Sequence, residues 1–332
     1  MKPSRPTPFG SRPEVMSEAD YLPISLSTLV PDTNVGLDLY RRDEGESKYV
    51  LFRGRDFPIG PGEIERLRQR GVTQLYITRR SRGKFQEYLR DLATDGPEGA
   101  TMSARVEAMN DVVRDVLASS FRANDTDHMV GAVTELGAMT AGIVSNDQFT
   151  AGDLFRVMHH DYATFTHVAN VSFYAAILAE ELGTDAADLE RLTIGGLLHD
   201  LGKLEIPDRI LGKSGRLDEE EYRTIKMHPV TGFRRLAHRQ DLDEGQLMMV
   251  YQHHERIDGK GYPTGVVGDE IHRWAKICAV VDVYEALTSH RPYRTPMPRR
   301  QAIELMERDS GTAFDPEVLR CWTSIIQRDS PH

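Results

Sequence analysis

The chain has 332 residues, 39% of them apolar, which leaves room for two domains around cores of ordinary size. A formal net charge of −10 and a pI near 5.7 exclude the basic footprint that a nucleic-acid polymer requires, but not a small phosphate substrate, because bound divalent ions would dominate the local field. The only cysteines, Cys278 and Cys321, imply no disulfide framework, and with no apolar leader and no run of roughly 18 apolar residues the chain reads as cytoplasmic, without a membrane span.

Residues 1–20 read as a disordered tail, interrupted by Pro3, Pro6, Pro8 and Pro13. Residues 21–95 read as a small α+β regulatory module. Its β-like runs Tyr49-Val50-Leu51-Phe52 and Gln74-Leu75-Tyr76-Ile77 flank a short helix that starts at Pro61 and is stopped by Gly71. Asp95-Gly96-Pro97-Glu98-Gly99 is a linker. Residues 100–148 form a helical connector, with Val106, Met109, Val113, Val116 and Leu117 on one face and a second apolar set from Met129 to Ile143. These are either the first helices of the second domain or a segment that dimerises, so a homodimer stays open. Residues 149–328 are nearly all helical: Val168, Val171, Ala175, Leu178 and Leu182 recur at three- and four-residue steps until Gly183. No internal repeat is visible.

Within that last segment His167, His199-Asp200, His228, His253-His254 and Asp282 follow one another. They are too many ligands for one ion and suit two ions that share a bridging carboxylate, a site type that hydrolyses phosphate esters. His167 shares the inward face of its helix with Val171. His199 and Asp200 sit in an apolar helix ended by Gly202, where an ionised aspartate needs a partner, either Lys203 or a metal; metal would satisfy both side chains and leave Lys203 free for an anionic substrate. Pro229 restricts His228 to extended geometry at a helix entrance. His253 and His254 occupy successive helical positions, followed by the loop Arg256-Ile257-Asp258-Gly259-Lys260-Gly261-Tyr262-Pro263. Asp282 lies in a strongly apolar helix with no basic residue three or four positions away, and a metal would supply the missing cation.

The pattern H…H-D-x-G-K…H-P…H-H-E-x-x-D-G-x-G-Y-P…D-x-x-x-A-L-T-S-x-R-P-Y-R, spanning Asp161 to Val318, resembles the HD-GYP family of bacterial cyclic di-GMP phosphodiesterases, a subgroup of the HD phosphohydrolases. The resemblance implies a mainly α protein, an all-helical catalytic domain preceded by the small α+β module. It implies two divalent metal ions, iron or manganese. His167, His199, Asp200 and Asp282 would hold one, and Asp200 would bridge to a second held by His228, His253 and His254. Asp200 and Lys203 are the catalytic candidates; Lys203, Arg291 and Arg294 would contact phosphates, and Tyr262 the nucleotide or a phosphate oxygen. By two-metal logic an activated water attacks phosphorus in line and no side-chain nucleophile is needed, giving linear pGpG, or GMP after a second step. Relatives with a third metal carry Glu four residues before the first histidine, where this chain has Ala163, so a binuclear centre is expected. Two alternatives stand beside this one: a cyclic-dinucleotide-binding module that recruits a partner such as a diguanylate cyclase, and a phosphodiesterase for another cyclic dinucleotide such as cyclic GMP-AMP.

Overall fold

The computed structural model describes residues 18–43, 48–123, 125–146, 149–157, 164–213, 215–290 and 295–328. Its contacts separate two compact units, one ending at Tyr88 and the other beginning at Leu89. The protein is mainly α-helical, with a small sheet confined to the first unit.

In the first unit β1 (Tyr21–Ser25), β2 (Leu39–Asp43), β3 (Lys48–Arg53) and β4 (Gln74–Thr78) make an antiparallel sheet in the order β1-β4-β2-β3. Tyr21 pairs with Thr78 and Ser25 with Gln74, so alternation places Leu75 and Ile77 on the buried face with Ile24. The opposite face carries a tyrosine cluster in which Tyr21 and Tyr49 stack at 4.1 Å. Between β3 and β4 runs α1 (Pro61–Gln69), where Glu63 accepts the Gly60 N–H at 3.0 Å and Gly71 takes φ 74° just beyond the end. Both features follow the helix signals of the sequence. A further helix, α2 (Arg82–Thr94), closes the unit and runs into the next.

The second unit opens with α3 (Met102–Ala123), α4 (Thr126–Val144) and α5 (Ala151–Val157). Its centre is α6 (Thr164–Glu181) packed along α7 (Ala186–Leu198). After α7 come a 3-10 turn (Leu201–Glu205), then α8 (Asp208–Leu211), α9 (Glu219–Lys226), α10 (His228–Leu236) and α11 (Glu244–Gln252). The chain ends in α12 (Arg273–Thr288), α13 (Arg299–Glu307) and α14 (Pro316–Arg328). Along α6, α7 and α12 apolar residues are buried on nearly every side, the mark of helices at the heart of a domain. α4 and α11 flank α7, α12 lies against α6 and α11, and α3 packs on α4, α5 and α6.

α12 is fixed from behind by aromatic packing. Tyr284 meets Trp322 of α14 at 5.1 Å and Tyr174 of α6 at 5.7 Å, and Tyr174 meets Trp322 at 5.2 Å. Tyr284 lies two positions after Asp282, about 200° around the helix. Burying the ring on one side therefore turns the carboxylate toward the other.

Candidate metal centre

Each ligand candidate sits where a helix ends or where an apolar helix turns one polar side chain inward. His167 lies in the first turns of α6 and Asp282 within α12. His199 and Asp200 lie just past the last residue of α7, earlier than the glycine stop predicted from sequence, so that Gly202 belongs to the following turn. A Cβ at Gly202 would stand 1.9 Å from the His228 carbonyl oxygen and 2.7 Å from the Gly232 nitrogen. Only glycine lets this turn press against α10 and bring His228 to Asp200.

His228 departs from its sequence expectation. It is the first residue of α10, with Pro229 in the opening turn, instead of an extended residue ahead of it. Proline costs nothing there, since its missing N–H would have no partner within the helix. His253 and His254 follow the last residue of α11, so the pair occupies a helix end and not two interior positions.

Three of the imidazoles are oriented by one repeated device. Nδ1 of His199 lies 2.7 Å from the Gly196 carbonyl, Nδ1 of His228 2.7 Å from that of Ile225, and Nδ1 of His253 3.0 Å from that of Val250. A carbonyl only accepts, so each Nδ1 carries the proton and each Nε2 presents a bare lone pair to the centre. Nε2 of His228 and Nε2 of His253 then face each other at 3.1 Å. Two lone pairs at that distance repel unless a cation is held between them, and the separation suits two nitrogens each about 2.1 Å from one ion.

Asp200 stands between two groups of histidines. Its Oδ1 lies 3.2 Å from His228 Nε2 and 3.8 Å from His253 Nε2, while Oδ2 lies 3.4 Å from His167 Nε2 and 3.5 Å from His199 Nε2. Among the described residues Asp200 Oδ1 and His199 Nε2 are buried without a hydrogen-bond partner. Such orphaned acceptors are costly in a dry interior and are what divalent ions satisfy. Ligand atoms of His228, His253 and His254, those of His167, His199 and Asp282, and those of His199, Asp200 and His253 form three groups, within each of which the atoms lie no more than 4.8 Å apart. The donor set therefore fits divalent metal.

The electrostatics favour bound cations. Burial alone would raise the Asp200 and Asp282 carboxyls, yet both are held well below the ordinary range, Asp200 chiefly by Lys203 and His199 and Asp282 chiefly by His167. Burial holds His253 neutral and pushes His254 down to about 3. For His167 burial is outweighed by Glu285, Asp200 and Asp282, which raise it well above its ordinary value. A metal at that position would displace the Nε2 proton.

Glu285, which the sequence reading passed over, is the support of that histidine. Its Oε2 lies 2.5 Å from His167 Nδ1, and its Oε1 accepts from Ser289 Oγ at 2.6 Å and Asn170 Nδ2 at 3.2 Å. Asn110 of α3 continues the chain, donating to Asn170 Oδ1 at 3.4 Å. A carboxylate behind a ligating imidazole fixes its orientation and raises its basicity. The signal was present as a Glu one turn after Asp282 in the same apolar helix.

The remaining candidates lie at the mouth or beyond the described residues. Lys203 places its Nζ 2.5 Å from Asp200 Oδ2. Tyr262 stacks on His254 at 4.7 Å and 30° and donates its backbone N–H to the His254 carbonyl at 3.2 Å. The loop that carries it closes on buried Glu255, whose carboxylate accepts from the N–H and hydroxyl of Thr264, each at 2.7 Å, and from Gly265 N–H at 3.1 Å. Glu255 of the H-H-E string is thus a loop clamp. Arg291 and Arg294, the phosphate candidates, lie outside the described residues, as do Asp161 and Ala163.

A family model described as "HD domain" matches residues 138–318. The response regulator RpfG of Xanthomonas campestris pv. campestris, named a cyclic di-GMP phosphodiesterase, is 36% identical over 173 residues, covering 52% of this chain and 45% of the relative. A Vibrio cholerae protein named 3'3'-cGAMP-specific phosphodiesterase 3 is 38% identical over 154 residues, covering 46% and 33%. The chain thus aligns with less than half the length of either relative. A solved structure of an HDG"Y"P protein from Bdellovibrio bacteriovorus superposes with a TM-score of 0.65 over 93% of this chain and all of that one, at 21% identity, which shows a shared fold.

Proposed function

The chain belongs to the HD-domain family, and from that premise we propose that it is a metal-dependent phosphodiesterase that opens cyclic di-GMP to linear pGpG. The observation that carries this reading is Asp200, with one carboxylate oxygen turned to His228 and His253 and the other to His167 and His199. Two divalent ions held there would polarise the phosphoryl oxygens and activate a water for in-line attack. The protein's own residues supply the rest. Backbone carbonyls hold the rings of His199, His228 and His253, and Glu285 that of His167, with Nε2 toward the centre, so the rings need not turn on loading. Lys203, a quarter exposed at the mouth, exchanges Asp200 for a phosphate oxygen once that carboxylate is neutralised. Tyr262, stacked on His254, contacts the nucleotide or a phosphate oxygen in this proposal. Arg291 and Arg294 contact the phosphates in this proposal, and the product leaves with no covalent intermediate on the protein.

The test is to incubate metal-replete protein with cyclic di-GMP, separate the products, and repeat after chelation. Formation of pGpG that chelation abolishes is the expected result, and no turnover in the metal-replete sample overturns the proposal. Cyclic GMP-AMP is the second reading, favoured by the relative named for that dinucleotide; the same assay run with it ranks the two.

A further inference from the structure

The rim of the centre carries a feature that the metal chemistry does not use. α9 holds Tyr222 outward, 53% exposed. One turn later Lys226 places its Nζ 5.6 Å from the Tyr222 ring centroid and 4.8 Å from that of Tyr262. Tyr262 in turn stacks on His254. Ring, ammonium, ring and imidazole make a line that runs from the surface to the ligands. α9 is a firm platform for it: Asp218 accepts from Glu220 and Glu221 N–H at 2.9 Å, Glu221 answers to Asp218 N–H at 2.9 Å, and Lys213 pairs with Glu221.

A half-exposed ring beside the ligand cluster offers a stacking face to a planar group, and the ammonium resting over it is an exchangeable neighbour. We propose that Tyr222 and Lys226 are the base-recognition subsite for one guanine of a cyclic dinucleotide, Tyr222 stacking on the purine and Lys226 donating to its N7 and O6 edge. The proposal rests on the phosphodiesterase reading above, since a phosphate in the metal centre sends its base outward across this rim. Guanine offers two acceptors on that edge, whereas adenine offers an acceptor and an amino donor. Lysine is a donor only and cannot satisfy the amino group. One guanine fills the subsite, so cyclic di-GMP and cyclic GMP-AMP are both accepted and cyclic di-AMP is refused.

The experiment compares wild type, Tyr222→Ala, Tyr222→Phe and Lys226→Gln, all metal-replete, on those three dinucleotides, reading KM, kcat and metal content. Tyr222→Ala is expected to raise KM about 5- to 150-fold, the range for loss of a base stack, with kcat and metal unchanged, and Tyr222→Phe to restore it. Lys226→Gln is expected to narrow the gap between cyclic di-GMP and cyclic di-AMP by about tenfold, because an amide can pair with adenine. If wild type turns over cyclic di-GMP while both alanine and glutamine variants keep its KM and its base preference, the subsite is wrong and the phosphodiesterase reading stands. If nothing is hydrolysed, equilibrium dialysis on the same proteins decides. Cyclic di-GMP binding that depends on Tyr222 and Lys226 upholds the subsite without the activity, and binding that ignores them, or no binding, overturns it.

Discussion

At the scale of single residues, Asp200 and Glu285 make separable predictions. Asp200 touches both groups of histidines, so Asp200→Ala is expected to lower metal content at every position and to abolish phosphodiesterase turnover; elemental analysis showing full loading would contradict its placement as a bridge. Glu285 touches only His167 among the ligand candidates, through a buried hydrogen bond. Glu285→Gln keeps the shape and removes the charge, and should weaken metal affinity by about 10- to 100-fold, measured by competition with a chelating dye, while the protein stays folded. The structure brings the seven ligand candidates of the sequence together: His167, His199, Asp200 and Asp282 stood out as ionisable side chains in apolar helices, and His228 and His253-His254 through the proline and the loop that follow them. Glu285 meets the same criterion, a carboxylate inside the same apolar helix as Asp282, but its partner His167 lies 118 positions away and no local spacing points to it. Glu255 was harder: what it clamps depends on a loop closure that sequence spacing does not describe.

Among the elements, α12 faces two ways, with Asp282 and Glu285 toward the ligands and Tyr284 toward Trp322. Trp322→Ala removes the wall behind that helix and is expected to destabilise the protein by about 3–5 kcal/mol, seen as a lower midpoint in chemical denaturation, without changing metal stoichiometry in the protein that remains folded. Apolar periodicity revealed α6 and the run around Asp282, and Gly and Pro punctuation revealed α1. It did not reveal α2, whose first residues Arg82, Gly83 and Lys84 mask the pattern, nor the break after Leu198, where Asp200 and a 3-10 turn replace a continuous helix. His228 differs because the steric bias of a residue before proline toward extended backbone is a tendency: here it opens α10, with the Gly202 turn packed closely on its carbonyl.

For the whole molecule, the ligand candidates lie beyond Leu89, and so a fragment beginning at Arg82 should fold and bind metal at the full-length stoichiometry. One beginning after Thr94 should be less stable, because Arg105 then loses the Ala93 and Thr94 carbonyls it engages. Chelation should lower the thermal midpoint of either fragment, since an ion present at 100 times its dissociation constant adds about 2.7 kcal/mol to the folded state. The spread of the site along the chain also has a consequence in time. His167 and Glu285 are separated by 118 positions. At ribosomal rates of about 5–20 residues per second, His167 waits roughly 6–24 s for the carboxylate that orients it. During that interval the nascent chain offers histidines without their full set of neighbours, so under the proposed metal chemistry the ion present at the ribosome, and how quickly it lets go, would help decide what the finished protein contains.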